Sequence, residues 1–213
     1  MSNLQTIKYA TKSNNLHLRV ATGHFATNSL HSNYYIDVAA QKSRVSEAKA
    51  VAEELSSYYY SDTIVDTILC VDGTEVIGAY FADCLTKGDF ININAHKTIY
   101  VVSPEIVGGN QMIFRDNIVP MIQGKNVMIL CVSVSSGKTA EMAVNAVKYY
   151  GGSVSGISAI FSTIEKCAGY TVRSVFDTGD LEHYFCAPSH ECPLCKAGVK
   201  LDALINSHGF SKL

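Results

Sequence analysis

The sequence predicts an α/β fold built on a parallel sheet, on three observations. Short apolar runs alternate with amphipathic stretches of helical period, the pattern of strands joined by right-handed helical crossovers. The run Val127 to Val132 is continuously apolar and rich in β-branched residues, as a strand buried on both faces of a sheet must be. Two small polar turns, 72–75 and 133–139, each join a strand to a helix. Both would therefore lie at strand carboxyl ends, where sheets of this kind hold their ligands.

In chain order, residues 2–13 predict a short helix with Leu4, Ile7 and Tyr9 apolar, ended by Asn14 and Asn15. Leu16 to Val20 alternates like a strand, Gly23, His24 and Phe25 follow, Asn28 to Asn33 reads as a polar turn, and Tyr34 to Val38 is a second strand. These two short strands predict a flap packed beside the core. Ser43 to Tyr58 reads as a helix. Val45, Ala48, Ala52 and Leu55 form its apolar stripe, with Glu47, Lys49, Glu53 and Glu54 largely off it. Tyr58, Tyr59 and Tyr60 read as packing at a helix end or subunit contact ahead of a stacking platform for bases. Thr63 to Val71 is the next buried strand. Its helix runs to about Lys87 with Ile77, Phe81, Cys84 and Leu85 on the core face. Thr98 to Val102 is a strand, 104–109 a mobile connection turning at Gly108 and Gly109, and Gln111 to Phe114 a short returning strand. Arg115 to Met121 is a short helix or turn. After the central strand, Ala140, Ala143, Val144 and Val147 fall at helical spacing, with Gly151 as the cap. Val154 to Phe161, the segment 164–169, and Thr171 to Phe176 complete the sheet.

With 213 residues, 47% hydrophobic and 17% charged, the chain has the composition of one sizeable globular domain with a small appendage. A net charge of -2 argues against a nucleic-acid footprint. No apolar run approaches the roughly 20 residues of a membrane span. The first residues show no signal-peptide core, so a cytoplasmic location is the expectation. There are 7 cysteines. Cys70, Cys84 and Cys131 fall in apolar segments and read as buried free thiols.

The turn Ser133 to Thr139 carries the strongest chemical signal. A strand passing through small residues into a helix leaves backbone N–H groups unpaired, and the helix dipole favours an anion there. Ser135, Ser136 and Thr139 add hydroxyls, Gly137 lets the backbone approach, and Lys138 adds a charge. The segment reads as a phosphate cradle rather than a plain connection. It is not a complete P-loop, because Val132 stands where the earlier glycine would be. Asp72, Gly73, Thr74 and Glu75 form a second candidate ligand loop, in which a divalent metal would have to offset the two carboxylates; the alternative is that Asp72 caps the helix. The tail carries His183, Cys186, His190, Cys192 and Cys195. Cys192 and Cys195 read as thiols packed in a C-terminal turn ahead of a tetrahedral Zn2+ site, for which Cys186, His190, Cys192 and Cys195 are the candidates, or a disulfide or redox pair.

In these motifs the chain resembles the type I phosphoribosyltransferases, the orotate phosphoribosyltransferases in particular. Gly23-His-Phe and His31-Ser-Asn-Tyr-Tyr-Ile-Asp37 are similar to that group's N-terminal Ser-Gly-x-x-Ser-x-Tyr-Tyr-Ile-Asp pattern. Val71 to Glu75 falls where the group has its pyrophosphate loop, 101–114 where it has its flexible catalytic loop, and Val127 to Thr139 on its phosphoribosyl pyrophosphate (PRPP) motif. Glu191 to Gly198 is similar to a C-terminal Cys-Pro-x-Cys segment of some members. The resemblance covers most of the chain. It implies a phosphoribosyltransferase-like five-stranded parallel sheet flanked by helices, with a small hood. On this reading residues 1–213 form one domain, 1–40 the hood segment, with Asp37, His31 and His24 its polar residues, and 181–213 the cysteine-containing tail. It also implies a homodimer, Mg2+, a small-molecule phosphate ligand, and a place in pyrimidine nucleotide biosynthesis. The group's reaction moves ribose 5-phosphate from PRPP onto a base such as orotate. Ser135, Ser136, Gly137, Lys138 and Thr139 match the segment that holds the 5-phosphate.

The chain departs from the pattern at charged positions. Cys131 and Val132 stand where the group has two acids that hold the ribose hydroxyls. Asp72 to Glu75 lacks the pyrophosphate-loop lysine, and Val102 to Gly108 lacks the catalytic-loop Arg, Lys and His. Departing pyrophosphate needs cationic or metal stabilisation. The sequence therefore points to a protein that binds a ribose 5-phosphate ligand, a nucleoside monophosphate or PRPP, with altered or lost transfer chemistry. A non-catalytic nucleotide-sensing protein and a hydrolase using Asp72 or Glu75 are the alternatives.

Overall fold

Strand pairing, not helical periodicity, governs the start of the chain. The computed structural model describes residues 5–13, 15–87, 92–95, 97–108 and 111–213. Strand β1 (Ile7–Ser13) pairs antiparallel with β2 (Leu16–Ala26), from Ile7 opposite Val20 to Ser13 opposite Leu16. The expected helix over 2–13 is thus a strand where it is described; Leu4 and Asn14 lie outside the described residues. So short a segment is marginal as a helix alone, and β2 satisfies its backbone groups instead. Strand β2 runs through Gly23, His24 and Phe25 with a register shift between Thr22 and Phe25. Strand β3 (His31–Asp37) takes in His31 to Asn33, which were expected in the turn. The turn is narrower, closed by Thr27 N–H donating to Leu30 O at 2.8 Å.

Helix α1 (Ala39–Ser43) and helix α2 (Val45–Ser56) follow. In α2, Ala48, Val51, Ala52 and Leu55 are fully buried, whereas Val45 is exposed and Glu47 is buried beside Arg44. Strand β4 (Thr67–Cys70) leads into α3 (Glu75–Thr86), and β5 (Tyr100–Val102) into a hairpin of β6 (Glu105–Val107) and β7 (Gln111–Ile113). The connection expected over 104–109 is therefore strand at 105–107; Gly108 has a φ of 57°, and Gly109 lies outside the described residues. A single 3-10 turn, Val119–Met121, precedes β8 (Asn126–Val134), and α4 (Lys138–Tyr149) follows it. Helix α4 ends at left-handed Gly151, with Gly151 N–H donating to Lys148 O and Gly152 N–H to Val147 O. These two bonds satisfy the last carbonyls, as the glycine predicted. Then come β9 (Ser153–Ser162), β10 (Lys166–Cys167), β11 (Tyr170–Asp177), β12 (Cys186–Ala187), α5 (Pro193–Lys196), β13 (Ala203–Asn206) and β14 (Gly209–Lys212).

The chain divides into two compact units, Gln41–Val175 and a discontinuous one of Met1–Ala40 with Phe176–Leu213. Among the described residues the first holds a sheet in the order β10-β11-β9-β8-β4-β5. Strands β5, β4, β8 and β9 run parallel to one another along this order, and β10 turns back antiparallel on β11. The fold class is α/β as expected, with β10 as an added edge. Helices lie on both faces. Leu69, Ile129 and Cys131 point toward Ala140, Ala143 and Val147 of α4. On the other face Gly78 of α3 sits so close to Cys70 that a Cβ there would overlap the sulfur. Val127 to Val132 are all buried, and each such aliphatic side chain stabilises the fold by about 1.5–3 kcal/mol over exposure. The second unit holds the sheet β12-β3-β2-β13-β14, with β1 also on β2. Here β2 pairs antiparallel with β3 and parallel with β13, Phe25 lying opposite Ala203.

Candidate functional site

Strand order marks where a ligand crevice would lie in the first unit. From β4 the chain passes to β5 on one side, and from β8 to β9 on the other, so the order reverses between β4 and β8. Open parallel sheets bind ligands at such a reversal, beyond the carboxyl ends of the strands. The loops 72–75 and 133–139 leave these two neighbouring strands at that end.

The second loop is shaped for an anion. Gly137 caps α4 with φ 77° and ψ -9°, a left-handed conformation that costs glycine little. A Cβ there would lie 3.0 Å from Cys167 Sγ and 3.3 Å from Ile164 Cδ1, so the loop sits tightly on the β9–β10 turn. Thr163 anchors it from the same side, its hydroxyl donating to Ser135 O at 3.0 Å. Gly137 has no side chain to cap α4; of the first-turn N–H groups, which have no acceptor within the helix, Lys138 N–H makes a long 3.5 Å bond to the Ser136 hydroxyl. Around them Ser136 and Lys138 are exposed, and Ser135 and Thr139 half-buried. Backbone donors, three hydroxyls and one ammonium thus gather at the positive end of a twelve-residue helix.

The 72–75 loop is more structural than its composition suggested. Asp72 and Gly73 both have positive φ, 61° and 80°. Thr74 is fully buried, and its hydroxyl donates to Val71 O and Leu130 O, both at 3.1 Å, pinning the loop to β8. Glu75 accepts from the Ser103 hydroxyl at 2.6 Å. The cation that the loop sequence lacks arrives from α1: Lys42 Nζ donates to Asp72 O at 2.8 Å. In the β6–β7 hairpin Arg115 holds Glu105 through two bonds, of 2.6 and 2.7 Å, and lowers the Glu105 pKa. Cys131 and Val132 are both buried, and Cys131 lies in the core against α4. Burial, and then the charge of Asp72, push the Cys131 thiol pKa up.

The second unit assembles a different group. Among the described residues, His24, His31, Cys192 and Cys195 bring one ligand atom each to within 4.8 Å of all the others. Of the four tail residues predicted from spacing, Cys192 and Cys195 belong to this group and Cys186 and His190 do not. Cys186 lies in β12 opposite Ser32, and exposed His190 faces Glu191 at 3.2 Å. The partners of the Cys-x-x-Cys pair are two histidines across the β2–β3 hairpin. Lys42 and Ser103 were missed for the same reason: each meets its loop only through the fold. A signal for the histidines did exist, since four-ligand sites commonly join two separated pairs, and His24 and His31 are such a pair.

No family model and no curated protein matches the chain. Solved structures do. Orotate phosphoribosyltransferase of Mycobacterium tuberculosis H37Rv in complex with inorganic phosphate is similar at 17% identity and a TM-score of 0.52, over 76% of this chain and 90% of that one. UMP synthase of Leishmania donovani is similar at 18% identity and a TM-score of 0.54, over 76% of this chain and 34% of that one. A phosphoribosyltransferase from Corynebacterium diphtheriae is similar at 17% identity and a TM-score of 0.50, over 76% and 90%. At these identities the likeness is one of fold, and the fold is that of the type I phosphoribosyltransferases. Among the described residues no helix is long and apolar enough to cross a membrane.

Proposed function

We propose that this phosphoribosyltransferase-fold chain binds a small molecule carrying a ribose 5-phosphate, a nucleoside monophosphate or PRPP, through Ser135 to Thr139. The observation that carries this reading is the α4 N-terminus, where left-handed Gly137 supplies no side-chain cap and the Ser136 hydroxyl meets Lys138 N–H only at 3.5 Å. A phosphate monoester matches these donors, the dipole and Lys138 together. The M. tuberculosis protein, which shares the fold, takes inorganic phosphate. Binding is favoured over turnover by Cys131 and Val132, which offer no carboxylate for the ribose hydroxyls.

A transferase moving ribose 5-phosphate from PRPP to a base such as orotate is the second reading. Lys42 speaks for it, since its ammonium stands at the loop that would face a second phosphate. Mg2+ belongs with this reading. Asp72 and Glu75 are oxygen donors of the hard type it prefers, and a bound ion would offset the charge between them and a polyphosphate. A homodimer is carried by the family resemblance alone.

Calorimetry of the full chain with orotidine and uridine monophosphates, then PRPP with and without Mg2+, tests these readings. The expected result is monophosphate binding that weakens about tenfold or more in Lys138→Ala/Thr139→Val, about 1.4 kcal/mol. Unchanged affinity in that variant would overturn the assignment of the loop. Mg2+-dependent PRPP binding followed by orotate consumption would decide for the transferase.

A further inference from the structure

We propose that His24, His31, Cys192 and Cys195 bind one structural Zn2+ in the second unit, through His24 Nε2, His31 Nδ1 and the two sulfurs. This proposal is independent of any ligand in the first unit. His24 Nε2 lies 3.1 Å from His31 Nδ1, 3.5 Å from Cys192 Sγ and 3.6 Å from Cys195 Sγ, and Cys195 Sγ lies 3.2 Å from His31 Nδ1. Bonds of about 2.0–2.1 Å to nitrogen and about 2.3 Å to sulfur give a tetrahedron with edges of about 3.3 to 3.8 Å. These four separations already stand near that spacing, and the remaining two are within 4.8 Å.

Protonation argues the same way. His24 Nδ1 lies 2.8 Å from Val199 O, which can only accept, so Nδ1 carries the proton and Nε2 presents a lone pair. Three other ligand atoms crowd that single lone pair. One cation at their centre satisfies all four at once. A histidine held through its other nitrogen by a backbone carbonyl is also the usual support for a metal ligand. On binding, the two thiols lose their protons to solvent and the imidazoles stay neutral.

Burial adds an independent argument. From 182 to 202, Cys192 is the single buried residue, and α5 contributes no buried side chain. A segment with so little apolar anchorage needs another cross-link to hold its place, and a metal supplies one. Four protein ligands leave no open position, which marks the site as structural rather than catalytic.

The test is metal analysis of the full-length protein purified without chelator and after Zn2+ loading and desalting. The expected result is about one zinc per chain, falling below a tenth of that in Cys192→Ser/Cys195→Ser. Replacement by Co2+ should give the intense visible bands of a tetrahedral thiolate site. Because Cys192 is buried and its variant could misfold, Cys195→Ser, at an exposed position, is the second variant and should bind zinc more weakly and lose about half or more of the sulfur-to-cobalt band, one thiolate of two being gone. Cys186→Ser and His190→Ala should keep full zinc. Absence of zinc after loading of the folded wild type, zinc retained in both cysteine variants, or zinc lost with Cys186 or His190 would each overturn the proposal.

Discussion

Lys42 and Asp72, thirty positions apart, meet through a 2.8 Å bond from the ammonium to the backbone carbonyl. The bond brings a positive charge to a loop whose own side chains are acidic. Lys42→Met should therefore weaken PRPP binding about fivefold, about 1 kcal/mol, while monophosphate affinity stays within about twofold. Calorimetry with both ligands separates the outcomes. An equal loss for both would place the effect on the fold rather than on a second phosphate.

Gly137 combines a φ of 77° with a Cβ position 3.0 Å from Cys167 Sγ. Gly137→Ala should cost about 1–2 kcal/mol of stability, from left-handed strain plus crowding. Urea unfolding measures it. Phosphate affinity should fall as well, because the loop must shift to relieve the contact.

Asp66 clamps the start of β8, accepting from the Asn126 N–H at 2.9 Å and from its side-chain amide at 2.7 Å. Burial alone would raise its pKa, but the Asn126 bonds, with Lys97 and Lys125 nearby, hold it below the ordinary 3.8. Folding thus favours the charged form. Its contribution is complete above the ordinary value and is lost as pH falls through the lowered one. Asp66→Ala should cost about 2 kcal/mol near neutral pH, through the two lost bonds. The gap to wild type should close in acid, as urea midpoints across pH would record.

Restoring an acid at position 131 should fail. Cys131 is fully buried against α4, where an unpaired carboxylate has no partner. Cys131→Asp should destabilise by about 3 kcal/mol or more, whereas Cys131→Ala should cost about 1 kcal/mol. Denaturation midpoints of the two variants decide it. A well-folded Cys131→Asp protein would mean that the strand end is more open than its packing indicates.

What the chain disclosed before folding follows the range of the interactions. The buried run at Val127 to Val132, the stripe of α4 and the glycine at 151 are local patterns, and each was legible. The segment from Ile7 was misread because Ile7 and Tyr9 fit a helix and a strand alike, and β2 decides between them. The 133–139 loop, proposed for a phosphate, was legible as a run of residues. Lys42, in contrast, meets its loop across 30 positions, and His24 meets Cys192 across 168. Spacing rules in one dimension found half of the His/Cys group, because the other half is a neighbour only in the folded sheet.

The parallel pairing of β2 with β13 also orders events in time. His24 donates its backbone N–H to Asp202, 178 positions later. At the usual pace of synthesis, about 5–20 residues per second, roughly 10–35 s separate the two on the ribosome. Every residue of Gln41–Val175 emerges in that interval. Until the last strands follow, the end of β2 at Phe25 and Ala26 lacks its β13 partner, and a nascent chain in that state is where aggregation or chaperone capture would begin.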